Sequence, residues 1–312
     1  MAEERYHRPV LLEETIALLA PVSGGLYLDG TVGDGGHAEG ILEASSPDGR
    51  LIGLDRDPDA IARAGERLAR FGDRLALHRV NFAELDTVPA LRDTRLHGAL
   101  LDLGLSSGQI DEMARGFSYR QDAPLDMRMG PRGEPARDWL SRADLSTLAE
   151  TLRRYGEERH ARRIARAIDR ERRREPIETT GRLREIVESA VPRSAHPLKS
   201  VARVFQAIRI AVNDELGALE EGLRKIVDRL ADGGRLAVIS YHSLEDRIVK
   251  HFFRELASDC VCPPDFPVCR CEKHSEAVVL TPRPVGPGQE ETAANPRARS
   301  ARLRAIERRR AT

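Results

Sequence analysis

Aromatic residues are scarce in this chain: seven Phe, five Tyr and one Trp make up 4% of 312 residues. That disfavours a sheet that stacks single-stranded bases on exposed rings. Neither sign of charge is in excess, since 50 Lys and Arg meet 50 Asp and Glu. No global basicity therefore marks a nucleic-acid binder. No apolar run approaches membrane-spanning length, and the opening Met1-Ala-Glu-Glu-Arg is acidic and polar, unlike a secretory signal. A soluble cytoplasmic protein without a membrane partner is expected. No internal repeat is evident, and no histidine constellation suits metal catalysis, so no residue is assigned to a catalytic metal.

Cysteine is nearly absent as well, and its four copies share one segment, Cys260-Val-Cys262-Pro-Pro-Asp-Phe-Pro-Val-Cys269-Arg-Cys271. A C-x-C…C-x-C quartet suits a tetrahedral structural zinc, although its pairs are tighter than the usual spacing. Reduced thiols in a proline-rich loop are the alternative, and the spacing leaves both open.

What is present is more specific. An apolar run, Leu26 to Leu28, ends in Asp29 and leads through Gly30-Thr-Val-Gly-Asp-Gly-Gly36 into a helix-like segment starting near His37. Such a turn brings backbone close to a ligand and aims helix N–H groups at it. Asp55 follows Gly35 by 20 residues and closes a second apolar run, Arg50 to Asp55, where a carboxylate accepts from a ribose diol. The dinucleotide pattern G-x-G-x-x-G is met only loosely, with the wrong last spacing at Gly40. The acid-first pattern of S-adenosylmethionine enzymes fits Asp29, Gly33 and Gly35, departing where Thr31 replaces a glycine. A pyrophosphate wants bare N–H groups, whereas a sulfonium amino acid wants carboxylates such as Asp29 and Asp34. The methyl donor is the favoured ligand.

Strands are expected at 26–30, 51–55, 75–80 and 98–103, with helices at 36–44, 58–71 and 84–93. This alternation predicts a doubly wound α/β sheet. It stops after Leu103. Helices are expected over 139–174, 182–191 and 201–230, then a strand at 235–240, a helix at 244–258 and strand-like runs at 276–281 and 302–307. The economical reading is a Rossmann-like, mostly parallel domain of residues 1–105 and 199–312, with a helical insertion at 106–198 for substrate recognition. Arginine is very dense from Arg153 to Arg174, and a second basic stretch runs from Arg297 to Arg310. The first run reads either as an RNA-contacting face or as a solvated helix with pairs such as Glu158–Arg162.

Asp102-Leu-Gly-Leu-Ser-Ser107 ends the fourth strand beside the topological switch point. An exocyclic amine conjugated to a base ring is a poor nucleophile, and acceptors on its N–H groups help localise the lone pair. Asp102 is the candidate for that role; capping the turn or touching the cofactor is the alternative. Phe82, after the third strand, is either an adenine neighbour or plain core. Tyr241-His-Ser-Leu-Glu-Asp246 either faces the same cleft or forms a polar turn capped at Ser243. No cysteine stands in the Asp102 turn, which favours methylation of nitrogen over pyrimidine carbon 5, a reaction that needs a thiol nucleophile.

With these residues assembled, the chain closely resembles the MraW/RsmH family, the bacterial 16S rRNA cytosine-N4 methyltransferases. The matching motifs include His7-Arg-Pro-Val-Leu11, Asp29-Gly-Thr-Val-Gly-Asp-Gly-Gly-His37, Leu54-Asp-Arg-Asp-Pro58, Pro124-Leu-Asp-Met-Arg-Met129, Ser240-Tyr-His-Ser-Leu-Glu-Asp-Arg247 and Asn295-Pro-Arg-Ala-Arg-Ser300. The resemblance implies a class I S-adenosylmethionine-dependent methyltransferase fold with a helical insertion. It implies methyl transfer from S-adenosylmethionine to N4 of one cytosine in the decoding region of 16S rRNA. It further implies cofactor contacts by Gly35, Gly36, His37, Asp55, Phe82, Asp102 and Gln109. The partner implied is the small ribosomal subunit or its RNA, and the long helices offer faces for a homodimer. The competing readings are an amino-methyltransferase of small molecules or of other nucleic acids, and a non-catalytic ribosome assembly factor.

Overall fold

The computed structural model describes residues 9–192, 194, 196–260, 262, 271 and 273–310. The chain divides into two compact units, Met1–Gly104 with Ala218–Thr312, and Leu105–Gly217.

The first unit is built on a seven-stranded sheet in the order β3-β2-β1-β4-β5-β7-β6. Its strands are β1 Leu26–Asp29, β2 Arg50–Asp55, β3 Leu75–Arg79, β4 Leu96–Asp102, β5 Leu230–Ser240, β6 Ala277–Val279 and β7 Arg302–Arg308. The first five run parallel, and β7 inserts antiparallel between β5 and β6. Alternate side chains feed two separate layers. Leu28, Ile52, Leu54, Ala99 and Leu101 face a core completed by α10 (Glu215–Arg229) and α11 (Ser243–Leu256). Tyr27, Leu51, Leu100 and Ile239 face a core shared with α1 (Leu12–Leu19), α2 (Gly36–Ala44) and α3 (Pro58–Leu68). Helices on both faces explain why these strands read as continuous apolar runs. Pro58 occupies the first turn of α3, and Asp57 caps it by accepting from the Asp59 N–H at 3.1 Å.

The second unit is helical: α4 Ser107–Asp111, α5 Ala136–Arg142, α6 Leu145–Arg154, α7 Ala161–Arg172, α8 Thr180–Ala190 and α9 Pro197–Asn213. Its core includes Trp139, Leu148, Leu152, Ile164, Ile168, Leu183, Val204, Phe205 and Ile208. The expected return to the sheet unit at 199 comes instead at Ala218, because α9 buries its apolar face in this helical core.

Several local expectations change. The helix expected at 84–93 is two short 3-10 turns, Phe82–Thr87 and Pro89–Leu91, since Pro89 cannot continue a helical ladder. The stretch 139–174 is three helices: Asp144 accepts from the Thr147 N–H at 2.7 Å and starts α6 anew, and the chain turns again at Gly156 and Glu157. The stretch 201–230 is broken at Asp214, which takes a left-handed conformation (φ 47°) between α9 and α10. Helix α1 was not expected. A further short helix, α12 (Gln289–Ala294), precedes β7, and Glu291 on it accepts from the Leu11 N–H at 2.8 Å. Among the described residues no helix is long and apolar enough to cross a membrane.

Candidate active site

Three neighbouring strands of the first unit each end in a carboxylate: β1 in Asp29, β2 in Asp55 and β4 in Asp102. Because these strands are parallel and adjacent, the three acids share one edge of the sheet at the switch point between β1 and β4. Asp29 is buried and its carboxyl is pushed up to about 7. Burial is the main cause; the nearby charges of Asp102 and Asp55 add to the rise, against the opposing pull of His37 and the Thr31 N–H. Asp55 is also pushed up by desolvation, although the N–H groups of Asp57 and Gly33 donate to it at 2.9 and 3.0 Å. Asp34 is set apart from this group: the Arg63 guanidinium holds it at 2.7 Å. Of the two acids expected to suit a sulfonium, Asp29 therefore carries the reading.

The glycine turn supplies the donors. Gly33 and Gly35 adopt positive φ (51° and 81°), which a side chain would strain. Gly35 is the N-cap of α2 and no side chain caps that helix, leaving its first N–H groups without an intrahelical partner. A Cβ on Gly36 would stand 3.0 Å from the Pro9 ring, so the turn packs tightly against Pro9 there. His37 follows, buried, and among the described residues neither ring nitrogen makes a hydrogen bond. An uncapped helix start, a buried imidazole and three carboxylates at one sheet edge fit a ligand with a cationic centre and hydrogen-bonding groups.

Asp102 is the most constrained of the three acids. Its N–H donates to the Thr31 hydroxyl at 2.6 Å, tying β4 to the turn after β1. The Tyr241 hydroxyl donates to its Oδ1 at 3.0 Å, and His37 Nε2 lies 3.5 Å from Oδ2. Its side chain remains 24% exposed, so the carboxylate still reaches solvent. Burial, together with the Asp102 charge, raises Tyr241 well above the ordinary tyrosine range, which keeps it a donor. Sequence reasoning did not pair Tyr241 or Thr31 with Asp102. The only signal was the departure at Thr31, where a glycine would have had no hydroxyl to offer.

Phe82 is half-buried at the edge of the core and packs over Gly222 of α10, whose added Cβ would come within 2.3 Å of the ring. The Tyr241 turn is capped by His242 rather than Ser243: His242 Nδ1 accepts from the Glu245 N–H at 3.3 Å, and Glu245 accepts from the Tyr241 and His242 N–H groups. Asp246 serves the fold. Despite burial, the Arg304 and Arg302 guanidinium groups hold it below the usual carboxylate range, joining α11 to β7. Gln109 belongs to the helical unit, where its amide closes a capping box with Ser106 and donates to the Met129 carbonyl at 3.4 Å.

In the helical unit α7 buries Ala161, Ile164, Ala165 and Ile168, which turns the intervening arginines outward. Arg162, Arg163 and Arg166 are exposed at successive helical spacings, and Arg159 is exposed in the turn before α7. Among the described residues, none of the four has a carboxylate partner, whereas Arg170, Arg172, Arg173 and Arg174 pair with Asp169 or Glu171. The expected Glu158–Arg162 pair is not made: Glu158 is buried, accepts from the His160 N–H at 2.8 Å and lies 3.7 Å from Arg203.

The strand order, the antiparallel β7 and the acid-tipped glycine turn define a class I S-adenosylmethionine-dependent methyltransferase. A family model described as the MraW methylase family matches residues 4–309, and the chain belongs to that family. It is 53% identical over 310 residues to a Heliobacterium modesticaldum protein named ribosomal RNA small subunit methyltransferase H, covering 97% of this chain and 98% of that one. A Symbiobacterium thermophilum protein of the same name is 54% identical over 308 residues, 96% of each chain. Among solved structures, an rRNA methylase from Streptococcus thermophilus is 11% identical with a TM-score of 0.44, covering 98% of this chain and 100% of that one.

Proposed function

We propose that this protein methylates the N4 amine of a cytidine in the decoding region of small-subunit ribosomal RNA. The observation that carries the reading is Asp102, a partly exposed carboxylate fixed through its backbone by Thr31 and at Oδ1 by Tyr241. The curated relatives, named for the small-subunit RNA they act on, support the substrate class.

Gly35, Gly36 and His37 would hold the cofactor at the start of α2, Asp55 its ribose and Phe82 its adenine. Gln109 is the contact that the family resemblance adds. S-adenosylmethionine supplies an electrophilic methyl group on a sulfonium. Asp29 and Asp102 favour that positive centre by charge. Asp102 then accepts hydrogen bonds from the cytosine amine, localising its lone pair, and takes up the proton released. Tyr241 is a positioning residue, fixing the Asp102 rotamer. The Arg159–Arg166 stripe supplies phosphate contacts, which give affinity without reading sequence. The target base must leave its stack to reach the site.

Small-subunit RNA and assembled subunits incubated with labelled S-adenosylmethionine, followed by mass-spectrometric nucleoside analysis, test this. Labelled N4-methylcytidine is expected. Label on another nucleoside would remove the amine-polarising role of Asp102. Cofactor binding without any label would favour the non-catalytic assembly factor.

A further inference from the structure

At the far end of α11 the loop between that helix and β6 is closed at its base. The Ser275 N–H donates to Asp259 at 3.0 Å, the Glu276 N–H to the Leu256 carbonyl at 2.8 Å, and Lys273 Nζ to the Glu255 carbonyl. Above that base the sulfur atoms of Cys260, Cys262 and Cys271 all lie within 4.8 Å of one another. Cys260 is exposed and the other two are half-buried, so burial of apolar surface does not account for their convergence.

The spacing is informative. Cys260 and Cys271 sulfurs stand 3.8 Å apart, far beyond the roughly 2.05 Å of a disulfide. A tetrahedral ion with Zn–S bonds of about 2.3 Å places neighbouring sulfurs roughly 3.8 Å apart. The Cys262 N–H also donates to the Cys260 sulfur at 3.3 Å, an outer hydrogen bond of the kind that orients a metal-bound sulfur. Thiolate donors without a histidine or carboxylate select a soft or borderline ion, and zinc is the one without redox chemistry.

We infer that Cys260, Cys262 and Cys271 hold a structural zinc ion that staples the α11–β6 loop. Cys269, the fourth cysteine of the sequence motif, lies outside the described residues. The 14 residues of α11 separate this cluster from Tyr241 by about 20 Å, so the ion takes no part in methyl transfer. The inference therefore stands or falls independently of the proposed reaction.

The test is metal analysis of the intact protein, produced in zinc-supplemented medium and dialysed under reducing conditions. One zinc per chain is expected, replaceable by cobalt(II) with an intense tetrahedral absorption and a thiolate-to-cobalt charge-transfer band. The double variant C260S/C271S should lose the metal and keep S-adenosylmethionine affinity within about twofold. Should that variant fail to fold, mercurial titration of the wild-type protein replaces it, with zinc released only as thiols are blocked. A metal-free wild-type protein, zinc retained in the folded double variant, release without thiol modification, or a weak octahedral cobalt spectrum would each overturn the inference.

Discussion

Asp29 offers a quantitative test of the acid-lined sheet edge. Replacing it with Asn keeps the side-chain shape and an acceptor for the Thr31 N–H, which lies 3.1 Å from Oδ1. The native carboxyl is pushed from 3.8 to about 7, chiefly by burial. Between those values the unfolded chain ionises Asp29 while the native protein holds it neutral. The native state then binds more protons, so stability falls as pH rises. At about 1.4 kcal/mol per pH unit over roughly three units, the wild type should lose about 4 kcal/mol relative to Asp29→Asn between pH 4 and pH 7. The difference should be level on either side of that window. Set against a typical total of about 5–15 kcal/mol, this is a large fraction. Urea unfolding of both proteins from pH 3.5 to 8, without cofactor, reads it, because carboxylates remote from Asp29 titrate in both and cancel. A cationic ligand favours the ionised form, so wild-type affinity for S-adenosylmethionine should also tighten as pH rises through about 7. Parallel stability profiles for the two proteins would refute the assignment of a neutral, buried Asp29.

Gly222→Ala should destabilise the sheet unit and weaken cofactor binding together, because the new Cβ falls 2.3 Å from the Phe82 ring. Overpacking costs about 1–3 kcal/mol, against about 1 kcal/mol of helix propensity gained, leaving a net loss of up to about 2 kcal/mol. A clear gain in urea stability would show that Phe82 yields freely. Charge reversal at Arg162 and Arg166 should leave cofactor affinity unchanged and weaken binding to small-subunit RNA. The log–log salt dependence of RNA binding should become shallower by about one unit for each phosphate that is no longer neutralised, and an unchanged slope would place the RNA elsewhere.

The glycine turn, Asp55 and the alternation of the first hundred residues were legible because each depends on local chemistry: positive φ at Gly33 and Gly35, short uninterrupted apolar runs for the strands, a proline at the start of α3. The breaks inside the helical stretches were less so. Asp144 was a readable cap, but the left-handed Asp214 between α9 and α10 carries no glycine to announce it. Helix propensity over 201–230 is continuous, and the turn there follows from where each helix buries its apolar face.

By itself the sequence determined the family, the parallel α/β framework and the acids that tip its strands, since motif spacing and hydrophobic period act over short range. Only the tertiary structure decided which groups meet. Tyr241 reaches Asp102 across 139 residues, and Thr31 reaches it across 71. The same holds for the arginines: composition marked a basic run, but burial of one face of α7 decided that Arg162, Arg163 and Arg166 stand outward, without acidic partners among the described residues. Such meetings depend on sheet order and helix packing, which bring distant segments together at distances that no linear pattern encodes.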